Sequence, residues 1–236
     1  MKTILVTGTD TAVGKTWISS ILIRLLNQAG IRTGGYKPVC SGAELSQDGS
    51  TFWADVDALR AVCPLNSDGE VASEDLVCPQ RFQSPVAPNV AARLEGRQVD
   101  DLLLREGINA WRGKVEQLVV EGAGGLYCPL SDRTTVLDLA AELKPNVVVV
   151  AANRLGVISH TRLTVETLKS HGLNVAAVVL NEVRPNQSDH DQQLARNSNA
   201  AQLMHWLPQM PLFACEWNQH ELTCLSKPGT TMLDAM

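Results

Sequence analysis

The sequence predicts an α/β fold in which a mainly parallel sheet is covered by helices on both faces. Two observations lead to this prediction. Short β-branched segments alternate with helix-length segments along the 236 residues, as expected of parallel strands joined by helical crossovers. Several of the short segments are apolar at successive positions, which is typical of strands that are buried on both sides.

Six segments have the length and composition of strands, and each is bounded by Gly, Pro or Asn. In chain order they are TILVTG, GGYKPVC, QLVVEGAGG, NVVVVAANRLG, NVAAVVLNEV and the weaker MPLFAC. Ligands of such sheets bind at the carboxyl ends of the strands. Functional side chains are therefore expected directly after these segments.

Seven segments predict helices. The first covers residues 14–30; it ends at Gly30 and has an apolar stripe formed by Ile18, Ile21, Leu22, Leu25 and Leu26. The others are WADVDALRAV, PNVAARLEG, VDDLLLREGINAWRGK, TVLDLAAEL, HTRLTVETLKSHG and DQQLARNSNAAQLMHWL. The polar residues 63–85 predict a long surface excursion.

Length and charge restrict the class of protein. The chain is long enough for one large core and contains no linker-like run, so we expect a single domain over residues 1–236. The net charge of −5, with Lys and Arg scattered, argues against nucleic acid as a partner. Polar residues follow the amino terminus too closely for a signal peptide, and no apolar run reaches the ~20 residues that span a bilayer. We therefore expect a cytoplasmic enzyme or binding protein with no membrane partner.

Cysteine and histidine spacing argues against a zinc site or a disulfide scaffold. The six cysteines form no Cys-x-x-Cys pair, and the five histidines lack the spacing of a metal-binding helix. We expect reduced thiols. A bound metal is expected to be held by carboxylate and phosphate oxygens instead.

The stretch TILVTGTDTAVGKTWISS has the features of a phosphate-binding loop between a strand and a helix. Backbone N–H groups from Thr11 through Thr16 are expected to face phosphate oxygens at the helix N-terminus. Lys15 can supply a positive charge to the terminal phosphates, and the Thr16 hydroxyl can bind Mg²⁺. The strict P-loop pattern requires glycine at the position of Thr9, so this loop is of a more particular kind.

Elsewhere the residues alone leave several roles open. Glu121 and a carboxylate of the WADVDALRAV helix could join Thr16 around Mg²⁺, but this argument does not separate Asp55 from Asp57. Lys37 follows the predicted second strand and precedes Pro38, but an isolated lysine there could equally be exposed. An Asn at a strand end, such as the one after VVL, commonly belongs to a turn. The small residues of GAGG allow the backbone to approach a ligand closely.

GTDTAVGKT resembles, residue for residue, the loop of the dethiobiotin synthetases. The resemblance continues through GGYKPVCSG, VDALRAV, FQSPVAPNVAARLEG, VVEGAGGLYCPLSD and VVLNEV, from residue 3 to about residue 183. It implies a P-loop NTPase-like fold and an enzyme that joins 7,8-diaminononanoate, CO₂ and ATP. The implied products are dethiobiotin, ADP and phosphate, formed through a carbamate and a carbamic-phosphoric anhydride. It further implies Mg²⁺ as cofactor and a homodimer.

The resemblance also implies roles for individual residues. It favours Asp57 over Asp55 because DAL follows Asp57, and it assigns Thr16, Asp57 and Glu121 to the metal. Lys37 and Lys15 are implied to be catalytic. The implied acceptor contacts are Thr11, Lys37 and Ser41. The implied ATP contacts are Ala12, Val13, Gly14, Lys15, Thr16, Trp17, Asp57, Glu121, Gly122, Ala123, Gly124, Asn181 and Pro211.

The chain departs from the family pattern in places, and two other classes remain open. Asn89 occupies the place of an expected histidine, Arg154 lies in a region that often contains lysine, and the segment from Phe213 onward resembles the family poorly. A ParA- or MinD-like ATPase switch would carry a signature lysine at the position of Thr9. A cobyrinate amide-synthase-like ligase would need a glutaminase region, for which the chain after residue 183 is short.

Overall fold

A computed structural model describes residues 1–63, 71–184 and 190–236. Its strands are β1 (Lys2–Gly8), β2 (Thr33–Tyr36), β3 (Cys40–Ser41), β4 (Glu44–Leu45), β5 (Thr51–Phe52), β6 (Arg81–Phe82), β7 (Gln117–Gly125), β8 (Asn146–Ala152), β9 (Asn174–Asn181), β10 (Leu212–Cys215) and β11 (Thr223–Cys224). Its helices are α1 (Lys15–Gln28), α2 (Ala54–Arg60), α3 (Glu74–Val77), α4 (Pro88–Leu94), α5 (Asp101–Asn109), α6 (Val136–Leu143), α7 (Val157–Ser170), α8 (His190–Trp206) and α9 (Met232–Ala235).

A seven-stranded sheet, counted over the described residues, forms the centre of the protein in the order β11-β10-β9-β8-β1-β7-β2. All neighbouring pairs are parallel except β10 and β11. Residues 147–150 of β8 are four consecutive valines with no exposed surface, so both faces of this strand are covered. The predicted α/β class with a mainly parallel sheet is confirmed.

Helix α1 follows the prediction from its apolar stripe. Ile18, Ile21, Leu22 and Leu26 are buried, and α1 packs on β1, β2 and β7. The chain leaves the helix through Gly30, whose φ of +81° favours glycine. The amino end of α1 is thereby fixed next to the carboxyl end of β1.

The segment GGYKPVC, predicted to hold the second strand with Lys37 directly after it, is divided in the structure at that point. β2 ends at Tyr36, and β3 pairs with β6 in a separate two-stranded sheet. Pro38 has no N–H group for the sheet ladder, and the Lys37 N–H donates to the carbonyl of Val77 at 2.8 Å. The division places Lys37 at the carboxyl end of β2, where ligands of parallel sheets bind.

The predicted surface excursion over residues 63–85 is only partly correct in the part that can be described, because exposed and buried residues alternate there. Residues 64–70 lie outside the described residues. In the remainder, Val77, Cys78 and Phe82 have no exposed surface, and the Trp111 indole N–H donates to the carbonyl of Leu76 at 3.0 Å. This segment contributes to the core through Val77, Cys78 and Phe82, whereas Val71 remains exposed.

In the described part of the chain, no helix has both the length and the apolar character needed to cross a bilayer.

Candidate functional site

The phosphate-binding loop connects β1 to α1. Ala12 has φ +56° and Gly14 has φ +90°, and no side chain in the described ranges caps the amino end of α1. The first N–H groups of the helix are therefore available to an anion. Lys15 is 8% exposed, and its Nζ donates to the Asp10 carbonyl at 3.1 Å. Burial lowers the pKa of Lys15, and the charge of Glu121 opposes this effect.

Asn181, at the end of β9, contacts the backbone of the same loop. Its Nδ2 donates to the carbonyl of Val13 at 2.9 Å. A Cβ atom on Gly14 would lie 2.1 Å from that nitrogen, so glycine is required there for space as well as for its positive φ. Sequence reasoning placed Asn181 at the nucleotide site but missed this contact with the loop backbone.

Three oxygen-bearing side chains meet behind the loop. The Thr16 hydroxyl lies 2.8 Å from Asp55 Oδ1 and 2.8 Å from Glu121 Oε1. One hydroxyl proton can be donated to only one of these carboxylates at a time. The Glu121 side chain is fully buried, and its Oε2 has no hydrogen-bond partner within the described residues.

The structure contradicts the choice of Asp57 over Asp55. Both lie on α2, but side chains two residues apart are separated by about 160° around a helix, so they point to nearly opposite sides. Val56 and Leu59 face the core, which turns Asp55 towards Thr16. The two side chains are equally exposed, 46% for Asp55 and 47% for Asp57, but Asp57 pairs with Arg60 at 3.3 Å instead of contacting Thr16. The carboxylate beside Thr16 and Glu121 is therefore that of Asp55.

Lys37 is buried between these two carboxylates. Its Nζ lies 2.5 Å from Asp55 Oδ2 and 2.6 Å from Glu121 Oε1, and only 3% of the residue is exposed. Burial by itself lowers the pKa of Lys37, but the charges of Glu121 and Asp55 outweigh it and raise the pKa well above its ordinary value. The amine is therefore held in its protonated, positively charged form.

A cavity of about 560 Å³ opens in front of the phosphate-binding loop and is the main cavity of the site. The Ser41 hydroxyl, at the end of β3, donates to the carbonyl of Val86 at 2.6 Å. The cavity is lined by these predicted site residues: Thr11, Ala12, Gly14, Lys15, Thr16, Lys37, Ser41, Ala123 and Gly124. Asp55, Cys128 and residues 85–88 complete its wall. The cavity thus brings the predicted phosphate and acceptor residues together.

A second cavity of about 290 Å³ shares Ala12 and Gly14 with the first. Its other lining residues are Trp17, Asn181, Glu182, Val183, Trp217 and Asn218. The Trp17 indole N–H donates to the Gln219 carbonyl at 3.0 Å, and its ring stacks on His220 at 4.4 Å. Sequence reasoning missed Trp217 and Asn218, although they follow the carboxyl end of β10, where ligand contacts are expected.

Pro211 does not lie at this cavity, so its predicted role as a nucleotide contact is wrong. It precedes β10, and its carbonyl accepts from the Val178 N–H at 2.9 Å. β10 runs parallel to β9, with Cys215 opposite Asn181. Four residues of extended chain, about 13 Å, therefore separate Pro211 from the end of the sheet that carries the site.

The structure locates the remaining predicted residues in or beside β7 and the loop. Glu121 lies inside β7 and not at its end, because the strand continues to Gly125. Gly122 packs against α6, where a Cβ atom would lie 2.9 Å from Val136. Val13 is buried beneath the loop. These two residues support the site from behind, whereas Ala123 and Gly124 face the cavity.

The two single-residue departures from the family pattern, Arg154 and Asn89, lie at different distances from the loop. Arg154 pairs with Asp10 of the loop at 2.9 Å. Asn89 donates to Asp132 at 3.0 Å and lines a separate cavity of about 280 Å³. Arg154 therefore contacts the phosphate-binding loop directly, and Asn89 does not line the main cavity.

Known proteins resemble this chain over most of its length. A family model described as "AAA domain" matches residues 2–215. The ATP-dependent dethiobiotin synthetase BioD of Anaeromyxobacter dehalogenans (strain 2CP-C) is 39% identical over 92% of this chain and 91% of its own length. The ATP-dependent dethiobiotin synthetase BioD 1 of Escherichia coli (strain K12) is 37% identical over 78% of this chain and 80% of its own.

Solved structures resemble the fold at low sequence identity. The signal recognition particle receptor FtsY from Elizabethkingia anophelis matches with a TM-score of 0.54 and 14% identity, covering 99% of this chain and 64% of that one. Chloroplast FtsY from Physcomitrella patens matches with a TM-score of 0.51 and 11% identity, covering 95% and 61%. The chain spans less than two thirds of the length of these two proteins. The likeness confirms the P-loop NTPase-like fold.

Proposed function

The chain belongs to the family of ATP-dependent dethiobiotin synthetases, and we propose that its main cavity closes 7,8-diaminononanoate and CO₂ into dethiobiotin with ATP. ADP and phosphate are the other products. One observation carries the proposal: Lys15, Lys37 and Ser41, from three separate segments, line a single cavity. Phosphates and a small acceptor can therefore meet there without crossing bulk water.

The ATP phosphates fit the loop that ends at Gly14. The free N–H groups at the start of α1 and the ammonium of Lys15 all attract phosphate oxygens. Lys15 contacts a loop carbonyl in the structure, so it can turn to a phosphate without breaking an ion pair. We assign residues 12–17 to the ATP phosphates and to the adjoining part of the nucleotide.

The nucleobase of ATP fits the smaller cavity beside the loop. Trp17 and Trp217 supply flat apolar surface, and Asn181 and Asn218 supply polar groups at its edge. Aromatic faces stack well on nucleobases, and an amide pairs a donor with an acceptor. The cavity shares Ala12 and Gly14 with the phosphate site, which is the continuity that one nucleotide spanning both would need.

The residues behind the loop fit Mg²⁺. Magnesium prefers oxygen ligands and is commonly held by one or two carboxylates together with phosphates. Thr16, Asp55 and Glu121 provide such oxygens. Buried Glu121 Oε2, which has no hydrogen-bond partner among the residues described, is a polar atom that a cation would satisfy. In the described part of the chain, no group of three or more His, Cys, Asp or Glu could hold a metal. When bound, Mg²⁺ would neutralise charge on the ATP phosphates.

The acceptor fits the outer part of the main cavity. Val86 and its neighbours give an apolar wall for a hydrocarbon chain. The Ser41 hydroxyl already donates its proton to Val86, so its oxygen remains free to accept a hydrogen bond from an amine N–H. Thr11 and Gly124 lie on the loop side of this cavity, where we assign the γ-phosphate.

The reaction then needs three bond-forming steps. One amine attacks CO₂ and loses a proton, which gives a carbamate. A carbamate oxygen attacks the γ-phosphorus and displaces ADP. The second amine attacks the carbonyl carbon, loses a proton and expels phosphate, which closes the cyclic urea. Lys37 and Lys15 reduce the repulsion between the two anions in the second step, and the cavity holds the reacting groups in contact.

The acceptor dependence of ATP hydrolysis tests this function. We expect ADP release to be stimulated by diaminononanoate with bicarbonate and to be unaffected by DNA or lipid. Stimulation by DNA or lipid would instead indicate a ParA- or MinD-like switch. Glutamine-dependent turnover would indicate an amide synthase. A homodimer and a cytoplasmic location, both implied by family resemblance, are part of the proposal, and sedimentation of the purified chain tests the dimer.

A further inference from the structure

We propose that Lys37 is the resident cation of the metal site and that its ammonium group exchanges places with the divalent metal. The inference rests on the function proposed above, because it takes Thr16, Asp55 and Glu121 as the metal-holding residues. It adds a metal-free state in which the Lys37 ammonium group contacts the carboxylates of Asp55 and Glu121. Metal binding then releases Lys37 towards the acceptor.

The ammonium group lies among the oxygens that would hold the metal. Its contacts with Asp55 and Glu121 are 2.5 and 2.6 Å long. The oxygen of Glu121 that it contacts is the same one that lies 2.8 Å from the Thr16 hydroxyl. A magnesium ion needs contacts of about 2.1 Å to such oxygens. The ammonium and the metal therefore compete for the same lone pairs.

Charge balance explains why a lysine occupies this position. The Glu121 side chain has no exposed surface, and that of Lys37 is 4% exposed. A buried carboxylate without a cation is strongly destabilising. Lys37 supplies the compensating charge while the metal is absent. Once a divalent cation lies between the carboxylates, that charge is no longer required, and the two cations repel each other.

The main cavity gives the released ammonium group somewhere to go. Lys37 and Ser41 both line this cavity, and so does Asp55. A lysine has four flexible side-chain torsions, so its Nζ can rotate away from the carboxylates while the backbone stays in place. In the cavity it would meet the anionic carbamate. Binding of the metal with ATP thereby prepares the acceptor side of the site.

Mn²⁺ binding to the nucleotide-free protein, measured by electron paramagnetic resonance, tests the exchange. Lys37→Met removes the competing cation, so we expect this variant to bind Mn²⁺ at least about tenfold more tightly than the parent. The matched control is Arg60→Met, which removes a cation paired with Asp57 on the same helix and should change the affinity less than about twofold. Unchanged or weaker Mn²⁺ binding by Lys37→Met would overturn the proposal.

A second measurement uses the parent protein, because Lys37→Met leaves two carboxylates uncompensated and can fail to fold. Acetic anhydride is applied with ADP and EDTA, or with ADP and Mn²⁺, and acetylation is followed by mass spectrometry. We expect Mn²⁺ to accelerate modification of Lys37 severalfold relative to Lys169, which is exposed on α7. An equal or slower rate at Lys37 would refute the exchange.

Glu121→Gln separates this inference from the proposed function. If this variant binds Mn²⁺ as tightly as the parent, the metal site is misplaced, and both the exchange and the metal part of the proposed function are refuted. If Glu121→Gln binds Mn²⁺ weakly and Lys37→Met binds it no more tightly than the parent, only the exchange is refuted. Weak binding by the first variant together with tight binding by the second supports both.

Discussion

Asp55→Asn and Asp57→Asn form a matched pair of changes on α2. Each removes one negative charge and preserves the size of the side chain. Asp55 contacts the Thr16 hydroxyl at 2.8 Å and the Lys37 ammonium at 2.5 Å. Asp57 contacts Arg60 at 3.3 Å. We therefore expect only the first change to impair metal-dependent turnover.

The contacts set the size of each effect. The side chains of Asp57 and Arg60 are 47% and 31% exposed, and pairs of this kind contribute about 0.2–1 kcal/mol. Asp57→Asn should therefore lower the free energy of unfolding by less than about 1 kcal/mol and leave kcat within about twofold. Asp55 is one of two carboxylates beside Thr16. Loss of a group that supports a metal commonly costs roughly 10–100-fold in affinity, so the half-saturating Mg²⁺ concentration should rise by that factor.

The assay is dethiobiotin formation over a wide Mg²⁺ titration at saturating ATP, with circular dichroism to show that each variant is folded. Asp57→Asn serves as the control for the loss of charge on the helix. If the Asp55→Asn curve coincides with that of the parent, or if both variants shift equally, the assignment of Asp55 is refuted. In that case the arrangement around Thr16 has no connection with the metal.

Three further changes test other parts of the site. Lys15→Ala should weaken ATP binding roughly 30-fold or more, as expected for loss of a paired charge, without unfolding the protein; calorimetry with unchanged ATP affinity would remove Lys15 from the phosphate site. Lys37→Gln should lower kcat on the order of 10²-fold or more with a much smaller shift in ATP affinity; near-parental turnover would contradict its catalytic role. Gly14→Ala should reduce the free energy of unfolding more than Gly30→Ala. Both glycines have positive φ, but only at Gly14 would the new Cβ atom collide, 2.1 Å from Asn181; equal losses in denaturant unfolding would show that space at Gly14 is not limiting.

The sheet and α1 could be predicted from the sequence because their signals are local. Four consecutive valines in β8 indicate a strand that is buried on both sides. The loop between Gly8 and Thr16 is likewise a continuous motif, and it fixes the phosphate site without any distant contact. The strands, the loop and Lys15 therefore follow from short stretches of residues.

The prediction of Asp57 in place of Asp55 was wrong because it used the DAL motif and not the position of each residue around the helix axis. Val56 and Leu59 are spaced i and i+3, and their burial decides which carboxylate faces Thr16. That apolar pair was visible in the sequence. It would have favoured Asp55 if it had been used in place of the DAL that follows Asp57.

Pro211 and Trp217 show a different limit. Their assignment depends on which end of β10 adjoins β9 at the site, and this follows from strand pairing between residues more than 30 positions apart in the chain. The direction of a parallel strand could have been inferred, and it would have moved the prediction from Pro211 to the residues after Cys215. The end of β2 before Lys37 could be inferred from Pro38, but the pairing of β3 with β6 could not, because it joins residues about 40 positions apart in the chain.

The fate of the oxygen atoms of CO₂ tests the central claim most directly. The enzyme is given C¹⁸O₂ in unlabelled water with ATP and diaminononanoate, and the products are analysed by mass spectrometry before the label exchanges with solvent. Attack of a carbamate oxygen on the γ-phosphorus predicts one ¹⁸O atom in the released phosphate and one in the carbonyl of dethiobiotin. Dethiobiotin formed with unlabelled phosphate would contradict the carbamate route, and phosphate release without dethiobiotin would contradict the function itself.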